Sequence, residues 1–115
     1  MDIQFTEEQE LLRSSVQRML RDQYDFDARR KIVASEEGLG RRQWDEFAEL
    51  GLLAAPFSEA VGGLSGGPLS TMIIMHEFGR HLVVEPFVET VVVAGSLIER
   101  AGSEAQKQAR SEERR

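Results

Sequence analysis

The chain has 115 residues, 14 basic against 20 acidic, and a formal net charge of −6, a length that suits one domain and is too short for two. Hydrophobic residues at 41% and charged residues at 30% mark a globular chain, and its acidic balance argues against nucleic acid, whose phosphates must be neutralised by Lys and Arg. The absence of cysteine excludes a disulfide framework, a thiolate nucleophile and any sulfur-ligated zinc site. No apolar run approaches the ~20 residues of a membrane span, and Met1-Asp2-Ile3-Gln4 lacks the pattern of a secretory signal. A cytoplasmic domain with no membrane or nucleic-acid partner is the expectation.

Thr6-Glu7-Glu8-Gln9 has the pattern of a capping box, a hydroxyl set to accept the third helical amide with Gln9 reaching back. Leu12, Val16, Met19 and Leu20 follow at i, i+4, i+7 and i+8, so a first helix is predicted to about Gln23 with that stripe buried. Arg13, Gln17, Arg18 and Arg21 lie on its other faces and are expected to be solvated. A short second helix is predicted from Asp25 or Asp27 to about Ser35, burying Phe26, Ile32 and Val33. Glu36-Glu37-Gly38-Leu39-Gly40 reads as a loop. A third helix is predicted from about Arg41 to Leu50, with Trp44, Phe47 and Ala48 on one face and Gly51 as its left-handed cap. Leu52 and Leu53 should tuck beneath it.

From Ala54 to Pro68, six glycines and prolines rule out a continuous helix, and a structured loop of that length is often functional. A fourth helix is predicted from near Pro68–Ser70 to about Leu82. Pro86 fits the first turn of a fifth. Val88, Val91, Val92, Gly95 and Ile98 line one face of it, and further apolar residues cover another, the pattern of a buried helix. Val91-Val92-Val93 could form a strand, but the helical spacing continues to Ala101 and no strand partner is evident. Gly102 closes this helix, and Ser103-Glu104-Ala105-Gln106 is a second capping box opening a last, polar one. The sum is an all-α bundle of five to six helices.

No complete active site emerges from these residues. His76-Glu77 is followed by His81, a spacing of five where zinc binding needs four to stack both rings on one face. Gly62-Gly63-Leu64-Ser65-Gly66-Gly67 is followed by Pro68 rather than lysine, so it is no Walker-type loop, and it has no preceding strand for a dinucleotide fingerprint. Its glycines read as turn and close-contact positions. Most carboxylates lie at helix starts, where capping explains them. Glu89 differs, because it interrupts the most apolar helix. It is paired in the core, exposed on the narrow polar side, or lining a cavity.

The order of motifs resembles the acyl-CoA dehydrogenase family. Phe5-Thr6-Glu7-Glu8-Gln9-Glu10-Leu11-Leu12 is similar to its opening helix, and Trp44-Asp45-Glu46-Phe47-Ala48-Glu49-Leu50-Gly51-Leu52-Leu53, followed by Gly62-Gly63, matches its next segments. Met75-His76-Glu77-Phe78-Gly79-Arg80 resembles its fourth helix, and Ala101-Gly102-Ser103-Glu104-Ala105-Gln106-Lys107 the turn into the following one. Tyr24-Asp25-Phe26-Asp27-Ala28-Arg29 and Glu85-Pro86-Phe87 are most similar to the small subunit of pimeloyl-CoA dehydrogenase-type enzymes.

The resemblance implies the N-terminal helical domain, residues 1–110 with a polar tail at 111–115, of an FAD-dependent enzyme that oxidises an acyl-CoA thioester at its α and β carbons. It implies a homo-oligomer, or a hetero-oligomer with a large subunit. The family's middle domain, which supplies much of the FAD contact, and its C-terminal domain, which carries the catalytic glutamate, have no counterpart here. No catalytic residue is therefore carried over and no FAD is expected on this chain alone. Because Ala109-Arg110-Ser111-Glu112-Glu113-Arg114-Arg115 stands where the family continues with an apolar segment, the chain reads as a truncated or frame-shifted gene product or an excised domain. What does carry over is acyl-pocket wall: Glu89 near the pocket base, Val92 and Val93 along its side. The competing reading is a non-catalytic helical module whose apolar face is covered by a partner or a second copy.

Overall fold

The computed structural model describes residues 4–113. They form α1 (Glu7–Gln23), α2 (Phe26–Ala34), α3 (Arg41–Glu49), a 3₁₀ turn (Glu59–Val61), α4 (Gly67–His81), a π-helical segment (Val88–Gly95), α5 (Ser96–Ala101) and α6 (Glu104–Glu113). No strand occurs among the described residues. The molecule is a slab with extents of 41 × 41 × 19 Å. Helices pack 8–10 Å apart, so it is about two layers thick and each helix has an outer face.

Local chemistry sets the helix ends. Thr6 Oγ1 accepts from Gln9 N at 3.2 Å while Thr6 N donates to Gln9 Oε1 at 2.9 Å, the reciprocal box. Ser103 and Gln106 repeat it at the start of α6. Asp25 caps α2 through Ala28 N at 2.8 Å, and Gly51 takes φ +79° after α3. Pro68 sits in the first turn of α4, where its missing N–H costs nothing.

The core joins Val16, Met19 and Leu20 of α1 to Phe47 of α3 and to Ile74 and Phe78 of α4. Phe78 is packed between two rings, Phe47 at 4.8 Å and Phe87 at 5.2 Å between centroids. Leu52 and Leu53 are buried below α3 as expected. The glycine loop closes upon itself. Gly63 N donates to Ser58 O, Leu64 N to Ala54 O, Ser65 N to Phe57 O and Gly66 N to Ala55 O. Those bonds hold Phe57 at 1% exposure, and a Cβ on Gly63 would lie 2.1 Å from its carbonyl oxygen.

Four expectations need correction. Phe26 is 70% exposed and Val33 is also exposed, leaving Ile32 as the buried residue of α2. Residues six apart point about 120° away from one another on a helix of 3.6 residues per turn, so Phe26 and Ile32 cannot share a buried face. Gln17 is not simply solvated; it is half-buried and donates to Glu77 across the α1–α4 contact at 3.1 Å. The fifth helix is π-helical over its first eight residues. Finally, that helix is not buried all round: Val91 and Gly95 face the core, but Val93 is 60% and Leu97 65% exposed, because nothing in a two-layer slab packs on its outer side.

Phe57 and Gly95 provide a test of this packing. A Cβ on Gly95 would lie 2.4 Å from the Phe57 ring, whereas one on Gly79 would meet nothing within 4 Å. Gly95→Ala should destabilise by about 1–3 kcal/mol through overpacking, while Gly79→Ala should be neutral or stabilising by up to about 1 kcal/mol. Urea unfolding of the two variants side by side gives both signs.

Candidate functional site

The site carried by resemblance lies on the continuous helical stretch from Val88 to Ala101, and its position follows from the turn that launches it. α4 ends at Leu82, which takes the left-handed φ of +54°, and Val83 N returns to Phe78 O at 3.1 Å. The chain then passes a buried carboxylate. Glu85 Oε2 accepts from Gly40 N at 2.9 Å, tying the loop before α3 to the turn. Val84 N donates to the Tyr24 hydroxyl at 3.1 Å, tying in the junction of α1 and α2. Burial foremost, and then the neighbouring Glu85, raise the Tyr24 phenol well above its ordinary pKa of 10. Phe87 completes the anchor as a buried ring standing edge-on to Phe78.

Past this anchor the backbone winds as a π-helix, a rare form that is frequent at functional sites. β-Branched side chains at Val91, Val92 and Val93 crowd the preceding turn of an α-helix, and the wider coil relieves that crowding. The Thr90 carbonyl accepts from Arg110 Nη2 of α6 at 3.2 Å. On the far side Glu99 Oε1 accepts from Ser58 N at 3.1 Å, so α5 is fastened to the loop that holds Phe57 beneath Gly95.

The three site residues fall differently. Glu89 is exposed, at the lip of an open groove of about 370 Å³ lined by Met75 and Phe78 of α4 and by the Leu82–Glu89 turn. Val93 is exposed four residues on, and Val92 is half-buried against the core. Glu89, Val93 and Leu97 stand at i, i+4 and i+8 on the outer side. The result is an apolar ridge with a carboxylate at its N-terminal end, braced from beneath by Phe57, Phe87 and Val91. Among the described residues no group of three His, Cys, Asp or Glu could hold a metal ion.

Two buried carboxylates escaped the sequence reading. Glu77, 1% exposed, accepts from Gln17 and lies 3.6 Å from Arg80 Nη1. Its Oε2 and the Oε1 of Glu85 have no hydrogen-bond partner among the described residues. Both partners lie far off in sequence, 60 residues away for Gln17 and 45 for Gly40. The one local signal was a lone charge inside an apolar helix, and it pointed to Glu89 instead.

The profile of the family described as acyl-CoA dehydrogenase, N-terminal domain, matches residues 6–110. Acyl-CoA dehydrogenase IpdE2 of Mycobacterium tuberculosis is 30% identical over 101 residues, covering 87% of this chain and 32% of that protein. Acyl-CoA dehydrogenase FadE27 of the same organism is 28% identical over 74 residues, 64% of this chain and 20% of the relative. Among solved structures, the ChsE4–ChsE5 complex from M. tuberculosis superposes with TM-score 0.88 at 24% identity, over 99% of this chain and 31% of the other. A variant of the Tcur3481–Tcur3483 steroid ACAD gives 0.85 at 28% identity, over 91% and 29%. The chain thus spans at most about a third of the length of these relatives. No helix among the described residues is long and apolar enough to cross a membrane.

The Tyr24–Glu85 anchor has a pH signature. The folded state holds the phenol above its ordinary value, so its contribution is complete below the unfolded pKa and is lost as pH rises past ~10. Urea unfolding from roughly pH 9 to pH 11 should show stability falling, with a shallower fall in Tyr24→Phe. At neutral pH that variant should lose about 1–3 kcal/mol, because Val84 N–H is left unpaired in the interior. Equal slopes in the two proteins would show that the phenol does not carry the effect.

Proposed function

Because this chain belongs to the acyl-CoA dehydrogenase family through its N-terminal domain, we propose that its Val88–Ala101 stretch walls the acyl pocket of the complete enzyme. The observation that carries the reading is the exposed apolar ridge of Val93 and Leu97, held rigidly from beneath and left open on the side where a fatty chain would lie. Val92 and Val93 form the wall, and Glu89 marks one end of it. An apolar wall with one carboxylate at its exposed end suits an acyl chain, since the methylenes leave water while the charge stays at the open lip.

The reaction proposed for the complete enzyme is α,β-dehydrogenation of an acyl-CoA thioester, for which FAD would supply the hydride acceptor. The glycine loop of this chain does not fit as a holder for that cofactor, because the amides of Gly63, Leu64, Ser65 and Gly66 are all spent on its own carbonyls. The catalytic base and most of the flavin contacts are assigned to the remainder of the enzyme. A hetero-oligomer is the preferred assembly, in line with the ChsE4–ChsE5 complex and the Tcur3481–Tcur3483 steroid ACAD among the solved structures it resembles. The contribution of this domain is shape: a fixed wall that sets how long a chain can enter.

Two substitutions in the complete enzyme test this. Val93→Trp adds a large ring on the open side and should move the preferred acyl chain to shorter lengths, read as kcat/KM across a series of thioesters. An unchanged profile would overturn the wall assignment. Glu89→Gln removes a negative charge from the pocket end. It should raise kcat/KM for an acyl chain ending in a carboxylate by about tenfold, the equivalent of ~1.4 kcal/mol of relieved repulsion, and leave plain acyl chains nearly unaffected. Equal change in both series would show that Glu89 does not face the chain end.

A further inference from the structure

A second groove opens where the C-terminal end of α1, the start of α2 and the C-terminal end of α4 meet. Arg21, Arg29, Arg80 and His81 line it, with Phe26 and Leu82 beside them and the buried Tyr24 behind. Three guanidinium groups therefore converge on one face of a chain whose net charge is −6. The two apolar side chains are far more open than isolated surface residues need to be, at 70% for Phe26 and 61% for Leu82. Each of these two side chains buries only a minority of its surface in the fold.

Two of the three guanidinium groups, on Arg29 and Arg80, are held by fixed partners. Arg29 Nε donates to the Leu82 carbonyl at 2.8 Å, clamping α2 onto the end of α4 and carrying Leu82 into the groove. Arg80 is anchored on its inner side by Glu77 at 3.6 Å while its side chain stays 60% exposed. Arg21 pairs with Asp22 at 3.3 Å, both exposed, and such a surface pair is worth little and is readily exchanged. The one acid lining the groove, Asp25, has Oδ1 engaged by Ala28 N.

We propose that this groove docks a short acidic segment of a partner protein, its carboxylates on Arg21, Arg29 and Arg80 and one apolar side chain between Phe26 and Leu82. Arginine is suited to this role, because its planar fork binds carboxylate bidentately. The apolar pair gives an anchor that pure charge would lack. Charge complementarity also selects a segment over a broad anionic surface. Asp25 lines the groove and Asp22 pairs with Arg21 at its edge, both exposed, and they would oppose a bilayer or a long polyanion, whereas a few residues lying along the floor meet the arginines first. Screening limits the repulsion from the rest of the acidic chain to within about a Debye length, ~8 Å at physiological salt.

The proposal concerns this chain alone and stands apart from the acyl-pocket reading, so its test needs no turnover. A fluorescein-labelled octapeptide of alternating glutamates around a central leucine is titrated with the chain, beside a glutamine version, and anisotropy is followed. The acidic peptide should bind, and binding should weaken by at least about tenfold for the glutamine version and for Arg21→Gln with Arg80→Gln, from the loss of charge-assisted contacts. Phe26→Ser, at an exposed position, should weaken it by roughly fivefold through the lost anchor. Arg21→Gln alone, whose partner among the described residues is the exposed Asp22, gives the same direction should the double variant lose its fold by circular dichroism. Equal affinity for both peptides, or insensitivity to Arg21→Gln, would overturn the proposal. So would tighter, arginine-dependent binding of inorganic polyphosphate or of phosphatidylserine vesicles, which would make the groove a phosphate or membrane site.

Discussion

The ring of Phe78 is the contact on which the remaining architecture depends. It lies between Phe47 and Phe87 and so joins α3, α4 and the start of the π-helical segment, three pieces that short-range chemistry could not bring together. Aromatic pairs in offset or edge geometry add about 0.5–1.5 kcal/mol each beyond their buried area. Direction matters as much as energy here, because an edge-on ring leaves little freedom to the backbone bearing Phe87. The stretch that begins at Val88 therefore inherits its course from a ring stack, and its outer side is presented to solvent at a set angle.

Around that stack the fold uses polar ties where a small slab has no third layer to clamp it. Glu85 reaches Gly40, Tyr24 receives Val84 N–H, and Arg29 holds the Leu82 carbonyl. All three converge on the turn between α4 and the site. The first two, both part-buried, leave the site less able to shift than hydrophobic packing alone would, because a donor or acceptor withdrawn from water without its partner costs more than the bond itself contributes. Glu77 does the same one turn earlier, linking α4 to α1 through Gln17. A buried carboxylate is poor evidence of stability, and two of them near one turn are better explained by a need for a unique geometry there.

What could be read from the sequence follows the range of the interaction. Thr6 with Gln9, Ser103 with Gln106, Asp25 as a cap and Gly51 as a left-handed stop are decided within four residues, and each stands where the pattern placed it. Phe26 was misplaced because its burial depends on what surrounds a nine-residue helix, not on its own hydrophobicity. The π-helical winding was invisible for a related reason: a β-branched run favours a wider coil only when Thr90 O can find Arg110 and Phe57 needs room at Gly95. Of the site, the apolar stretch and the carboxylate of Glu89 near its start were legible as a pattern. Which side of it would be open was not, since that is a property of the layer that fails to cover it.

Leu82 connects the two surfaces. Its side chain lines both the groove at whose lip Glu89 stands and the arginine groove behind, and its left-handed backbone is the point where α4 gives way to the anchored turn. A segment seated among Arg21, Arg29 and Arg80 would press on the residue whose carbonyl Arg29 already holds. From there only the Glu85 tie and the Phe87 ring separate it from the start of the Val88–Ala101 stretch. The path between the two grooves is short and runs through hydrogen bonds and a ring contact. Were a bound segment to favour a position of this turn that also shifts Glu89, linkage would require an occupant at Glu89 to act on the segment to the same extent.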